Sequence, residues 1–431
     1  MSGSPSAHHA LQHFTLPNGL QVYLQEDHRA PLVSAQLWYH VGSSYEPDGH
    51  TGLSHALEHL MFEGSSKLSG GQYSRLMTRL GGDPTAFTTD DATVYPLTLP
   101  SKHLEIVLEA MADAMHTATL SEAPFARELK VVMAERRVNV DNSPLSLAHE
   151  KHQILAHGKS RYATPVIGLK DDLHNMTREA ARTWYQSWYH PNNATLSVAG
   201  ATSLTHLKTL VERHFGAIPA HRLPHTSIPR QDSDLKHRSQ ALHAQGLREG
   251  VLMSFNTPSL ATASTAEQAH ALHLIPALLT KGAASRLMSR LVVETSVLHG
   301  ITASYGKVSR GDSLLSIYAY NNPVQATPQA AAESILLEIE ALRRSAPTEE
   351  ELQRAKAQLM ASQVYAQDSI YNQAASAGQL CACGLDPMAL LDDRQALQAV
   401  TGERVRQAAE DYLGSDRLAI THMHGEENAD D

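Results

Sequence analysis

Apolar positions along this chain change their period several times, and each change marks an expected element. Residues 14–47, "FTLPNGLQVYLQEDHRAPLVSAQLWYHVGSSYEP", carry two strand-like alternating runs beside turn signals at Pro17-Asn18-Gly19 and around Pro31. The spacing then turns helical in "GLSHALEHLMFEGS", residues 52–65, and again near residues 70–80. Gly81-Gly82-Asp83-Pro84 breaks the pattern before the strand-like "TAFTTDDATVYPLTL". Two further helical stretches follow, the second with a start signal at Ser121 and Pro124, and "ATLSVAG" at 194–200 reads as a strand. Strands and helices mixed in this way predict an α+β layer fold.

Residues 219–238, "PAHRLPHTSIPRQDSDLKHR", space three prolines five apart among many charges and few large apolar residues, the composition of a linker. Beyond it the order of elements begins again: strand-like "LREGVLMSFNTP", helical 265–294, strand-like "GITASYGKV" and "SLLSIYAYNNP", then two long amphipathic helices. Setting Glu63-Gly64 against Lys281-Gly282 places "HALEHLMFEG" on "HLIPALLTKG", so His55 meets His273, Glu58 meets Pro276 and His59 meets Ala277. The expectation is two homologous domains, 12–218 and 239–425, each a mostly antiparallel sheet packed with helices and joined by the linker, with the chemistry kept in the first copy.

Composition narrows the function. With 42% apolar and 19% charged residues, the chain can fill more than one core. A net charge of −10 with no long basic run argues against nucleic acid as a partner. Cys381 and Cys383 are the two cysteines, too close together to staple a fold of 431 residues, and read as small core residues ahead of a metal pair. No run reaches the ~18 consecutive apolar residues of a membrane span. The start "MSGSPSAHHALQHF" lacks the regions of a signal peptide, so the chain reads as cytoplasmic, or as periplasmic if an export signal was removed ahead of it.

Chemistry concentrates at 52–65. Residues four apart on a helix lie ~40° from each other, so His55 and His59 can hold one ion, and Glu58 points to the same side. Two imidazoles suit Zn²⁺, and a carboxylate between them can take a proton from a metal-bound water. A lone surface histidine would be bland. Three costly groups clustered beside Leu53, Leu57, Leu60 and Phe62 favour a site.

The HxxEH pattern is that of the inverted zinc-peptidase motif. With "LPNGLQVYLQEDHRAPLVSAQLWYHVGSSYEP", "AFTTDDATVY", "ELKVVMAERR", "WYQSWYHPNNATLSVAG" and "GAASRL" in order, the chain resembles the pitrilysin/insulinase-like zinc metallopeptidases over nearly its whole length. The resemblance implies that His55, His59 and Glu135 bind Zn²⁺, that Glu58 is the general base, and that Glu128 orients a ligand. Glu128 and Glu135 are seven residues apart and share a helix face; spacing alone would leave them as exposed acids pairing with Lys130, Arg136 or Arg137. The resemblance also implies that substrate adds as a strand at Thr85, Ala86 and Phe87, with Thr85 standing where the family commonly has Asn.

One departure shapes the assembly. Members of the family commonly carry an Arg and a Tyr seven residues apart that grip substrate; anchored on "ASY", those positions fall on Val292 and His299. Arg286, Arg290 and Tyr305 are off register and read as structural. The chain therefore resembles the zinc-bearing subunit of two-chain members, with a metal-free homologue supplying Arg and Tyr and a short or unstructured peptide as substrate. A self-sufficient homodimer and a non-catalytic scaffold of the same fold are the alternatives, the latter opposed by the intact zinc set.

Overall fold

The computed structural model describes residues 10–231, 235–389 and 393–426. Two sheets organise it. The first contains β1 (Gln12–Thr15), β2 (Gln21–Glu26), β3 (Leu32–Tyr39), β4 (Phe87–Thr88), β5 (Thr93–Pro100) and β6 (Ala194–Gly200), in the order β1-β2-β6-β3-β5-β4. The second contains β7 (Arg238–Gln245), β8 (Gly250–Thr257), β9 (Leu298–Tyr305), β10 (Ser313–Asn321) and β11 (Leu418–Glu426), in the order β7-β11-β8-β10-β9. In each, one pair is parallel, β2 with β6 and β7 with β11, and the other pairs are antiparallel. Apart from β1, strand order and direction repeat from one sheet to the other, so the duplication is written in the topology.

The strands form where period-2 patterning meets burial on both faces. β3, LVSAQLWY, is buried from Val33 to Tyr39, with Ser34 and Gln36 on the opposite face from Val33, Ala35 and Leu37. The apolar side packs under the helices Leu53–Leu60, Leu104–Thr117, Arg178–Trp188 and Leu204–Phe215 in the core of the first unit. In the second unit Val251, Met253 and Phe255 of β8 pack with Leu272, Ile275 and Leu279 of the helix Ala266–Thr280 and with Ile335 and Ile339 of Pro328–Arg344.

The compact units are not contiguous in sequence. One comprises 1–134, 164–227 and 365–389; the other comprises 135–163, 228–364 and 390–431. The expected boundaries 12–218 and 239–425 thus differ from the units by an exchange of two helical segments. Helix Pro144–His157, from the first half, packs on β7, β8 and β11; helix Ile370–Ala382, from the second half, packs on β2, β3 and β6. Polar residues of the strands receive them. In the first unit Gln36 Nε2 donates to Tyr371 O at 2.9 Å and Ser197 Oγ to Ala374 O at 2.6 Å. In the second, His152 meets Thr421 Oγ1 at 2.8 Å and Ser254 Oγ at 2.9 Å, and Asn256 Nδ2 donates to Ala156 O at 2.9 Å.

The expected linker has no helix or strand from 219 to 231; β7 already begins at Arg238. The single strand expected over 85–99 is two: β4 is only Phe87–Thr88, a turn closed by Thr89 N donating to Ala92 O follows, and β5 begins at Thr93. Thr85 and Ala86 precede the strand. Asp90 and Asp91 occupy this turn, a residue type that favours turns over strands, and Ser43 Oγ and Ser44 Oγ donate to their carboxylates at 3.1 Å. Cys381 and Cys383 are buried free thiols, and Cys381 packs with Tyr23 and Ala377. Among the described residues no helix is long and apolar enough to cross a membrane.

Candidate metal centre

Helix Leu53–Leu60 presents Leu53, Leu57 and Leu60 to the core, so packing fixes its rotation and hence the direction of the residues between. Trp184 Nε1 donates to Ser54 Oγ at 3.2 Å and pins the first turn to helix Arg178–Trp188. The two histidines, one turn apart, come together with ring centroids 4.9 Å apart and planes inclined at 83°. Each of His55, Glu58 and His59 offers a ligand atom, and these atoms all lie within 4.8 Å of one another. His55 and Glu58 are buried at 9% and 7% exposure, while the His59 side chain keeps 21%.

Burial, and then the neighbouring His59, lower the His55 pKa to about 4. His55 is therefore neutral at physiological pH, the state in which an imidazole offers a lone pair to a metal. Glu58 Oε2 accepts a 2.6 Å hydrogen bond from Thr88 Oγ1 of edge strand β4. Beneath them the Tyr95 and Tyr189 hydroxyls are 3.4 Å apart; burial is the largest cause raising the pKa of each, so both phenols stay protonated. Two imidazoles with a carboxylate beside them, largely out of water, fit a borderline-soft divalent cation such as Zn²⁺.

Glu128 approaches this group, with Oε2 3.5 Å from His59 Nδ1. Its other oxygen accepts from Arg127 Nε at 3.0 Å, and Arg127 also pairs with Glu63. That partner is Arg127, in place of the lysine and arginines that spacing had offered. Glu135 lies on the same helix, Glu122–Arg136, two turns beyond Glu128; the helix is continuous, yet the division between compact units falls at Ala134 and Glu135. Its Oε1 accepts from Asn139 Nδ2 at 3.4 Å, and it is outside the 4.8 Å group. A cavity of about 580 Å³ opens past the end of the site helix, lined by Glu63, Gly64, Gly70, Ser121 and Arg127 among others; His55, Glu58 and His59 do not line it.

Of the three residues expected to hold an added strand, Phe87 alone is in β4; Thr85 is exposed and Ala86 half-buried. Thr88, next along, is the one that touches the site. It went unnoticed in the sequence because a threonine in a Thr-rich strand carries no local signal. Glu46, whose carboxylate grips the start of the site helix, was missed because a glutamate in a loop gives no local sign of the helix it will reach.

In the second unit Val292 lies in the π-helical turn Met288–Glu294, half-buried, and His299 is exposed on edge strand β9. Arg286 pairs with Glu351 at 2.7 Å, Arg290 with Glu338 at 2.6 Å, and Tyr305 Oη donates to Pro258 O at 2.7 Å, so all three are engaged inside that unit. Helix Ala266–Thr280, the counterpart of the site helix, carries Pro276 in the place of Glu58.

Comparison with known proteins agrees. Residues 21–165 match the family model described as Insulinase (Peptidase family M16), and residues 175–359 match that described as Peptidase M16 inactive domain. The zinc protease PqqE of Helicobacter pylori (strain ATCC 700392 / 26695) is 29% identical over 349 residues, 79% of this chain and 77% of that protein. Mitochondrial-processing peptidase subunit beta of Lentinula edodes is 23% identical over 419 residues, 94% of this chain and 88% of that protein. The crystal structure of a protease from Helicobacter pylori matches with a TM-score of 0.88 at 25% identity, covering 96% of this chain and 99% of that one. Motif, duplicated topology and these matches together identify the chain as a member of the insulinase (M16) family of peptidases.

Proposed function

We propose that the chain is the zinc-bearing subunit of a two-chain endopeptidase acting on short or unstructured peptides. The observation that carries the reading is the convergence of His55, Glu58 and His59 within 4.8 Å, with His55 kept neutral by burial. His55 and His59 would hold Zn²⁺ with Glu135 as third ligand, and Glu128 would orient His59 through its contact with Nδ1. Bound zinc supplies Lewis acidity and makes a water nucleophilic near neutral pH. Glu58 takes the proton of the attacking water and returns it to the leaving amine, while the Thr88 hydroxyl holds the carboxylate in place. β4 pairs only with β5 among the described strands, so its outer edge can accept an extended peptide by main-chain bonds that are nearly blind to side chains.

The two-chain part rests on Val292 and His299 standing where the resemblance puts Arg and Tyr, and on the engagement of Arg286, Arg290 and Tyr305 elsewhere. The pure chain should bind zinc yet cleave a fluorogenic flexible peptide poorly, because proximity contributes several kcal/mol to such a barrier, about 7–11 at most. Adding a metal-free homologue that carries the Arg/Tyr pair should restore cleavage, and mutating that pair should remove it. Strong cleavage by the chain alone, unchanged by any homologue, refutes the two-chain assignment.

A further inference from the structure

Gly52, the residue before the site helix, has φ +87°, and a Cβ there would lie 2.9 Å from Leu173 Cδ2 and 3.0 Å from Gly168 Cα. Only glycine fits, so the position cannot carry the Ser, Thr, Asp or Asn that usually caps a helix start. Two backbone donors of this start are satisfied from another segment. Glu46, with 0% exposure and directly after the Ser43–Tyr45 turn, accepts from Gly52 N through Oε2 and from Ser54 N through Oε1, both at 2.7 Å.

We infer that Glu46 is a positioning residue for the metal centre: its two-oxygen grip sets the tilt and rotation of the turn that carries His55. The inference rests on the zinc reading above. A single-oxygen cap would leave the first turn free to pivot about one bond; two oxygens on donors two residues apart remove that freedom. Its charge also lies at the positive end of the helix, which strengthens both bonds. His55 is the next residue after Ser54, so a displaced first turn moves the imidazole directly. Glu46 N donates to Ser43 O and joins the residue to the Ser43–Tyr45 turn, and Ser43 Oγ and Ser44 Oγ tie that turn to Asp90 and Asp91 beside β4. The clamp therefore links the strand that carries Thr88 to the helix that carries Glu58.

The test compares Glu46→Gln with Ser203→Ala, which removes the cap of the remote helix Leu204–Phe215, where Ser203 Oγ accepts from His206 N. Zinc affinity is read by chelator competition, and Co²⁺ substitution reports ligand geometry through its visible absorption. The glutamine keeps one acceptor and sets an NH₂ against a backbone donor. It should weaken zinc binding by about 10–100-fold, the usual cost of losing a residue that orients ligands, and shift the Co²⁺ bands. Ser203→Ala should lower thermal stability and leave both readouts unchanged. Glu46→Asp, which keeps the charge but shortens the reach, should fall between wild type and Glu46→Gln, and serves if the glutamine variant does not fold. Zinc affinity within threefold of wild type and unchanged Co²⁺ bands in folded Glu46 variants would overturn the assignment, as would equal weakening by Ser203→Ala. Wild-type protein that binds no zinc would overturn the zinc reading first and this assignment with it.

Discussion

His152 gives the fold an acid-sensitive joint. It is 2% exposed on helix Pro144–His157, between Thr421 Oγ1 and Ser254 Oγ of the second sheet, and burial is the largest cause lowering its pKa to about 3 from an ordinary 6.5. The folded-state pKa is depressed, so the neutral form belongs to the native state. The stability this supplies is complete above pH 6.5 and is lost as pH falls from there toward 3. One pKa unit corresponds to ~1.4 kcal/mol, so at pH 5 the loss is about 2 kcal/mol. Replacing His152 with Gln removes the proton uptake and weakens two hydrogen bonds, a cost of about 2 kcal/mol at neutral pH. The variant's deficit should therefore be about 2 kcal/mol at pH 7.5 and close to zero at pH 5. His149 and His157, also lowered by burial, titrate in both proteins and cancel. Hydrogen exchange of the Pro144–His157 amides, corrected for intrinsic rates, measures the opening free energy without requiring the whole chain to unfold in one step. The reasoning fails if the gap between wild type and His152→Gln stays constant from pH 7.5 to 5.

Glu58→Gln should retain zinc and lose ~10²-fold or more in kcat, since the amide cannot take the water's proton; near-normal turnover would exclude the residue as base. Thr88→Val preserves shape but deletes the 2.6 Å bond to Glu58. Charge-assisted bonds contribute about 1.5–3 kcal/mol, so kcat should fall about tenfold with KM unchanged; a change confined to KM would count against the positioning role. Gly378→Ala would put a Cβ 2.2–2.5 Å from the Trp38 indole, where helix Ile370–Ala382 meets β3. Overpacking of this kind costs about 1–3 kcal/mol, visible as a lower Tm, and an unchanged Tm would mean that the helix shifts freely.

Local spacing carried much of this structure into the sequence. His55, Glu58 and His59 are legible because a helix converts four-residue spacing into proximity. The duplication is legible because the order of elements repeats. What was hidden depends on contacts between distant segments. Glu46 reaches the site helix from across the turn that precedes it, and Thr88 reaches Glu58 from a strand only two residues long. The segment exchange was hidden too. Homologous sheets offer similar polar-lined faces, Gln36 and Ser197 on one and Ser254 and Thr421 on the other, and no local pattern says which helix each will receive. β7 and β11 escaped notice because RSQALHAQ and LAITHMHGE place small residues and histidines where a strand pattern usually has large apolar ones.

The zinc content of the purified chain tests the central claim most directly. About one zinc per chain is expected in wild type and in Glu58→Gln, and most of it should be lost in each of His55→Ala, His59→Ala and Glu135→Ala, because a three-ligand site cannot give up a donor and keep its affinity. A wild-type chain without zinc would contradict the metal centre itself, and full occupancy in any of the three alanine variants would remove that residue from it.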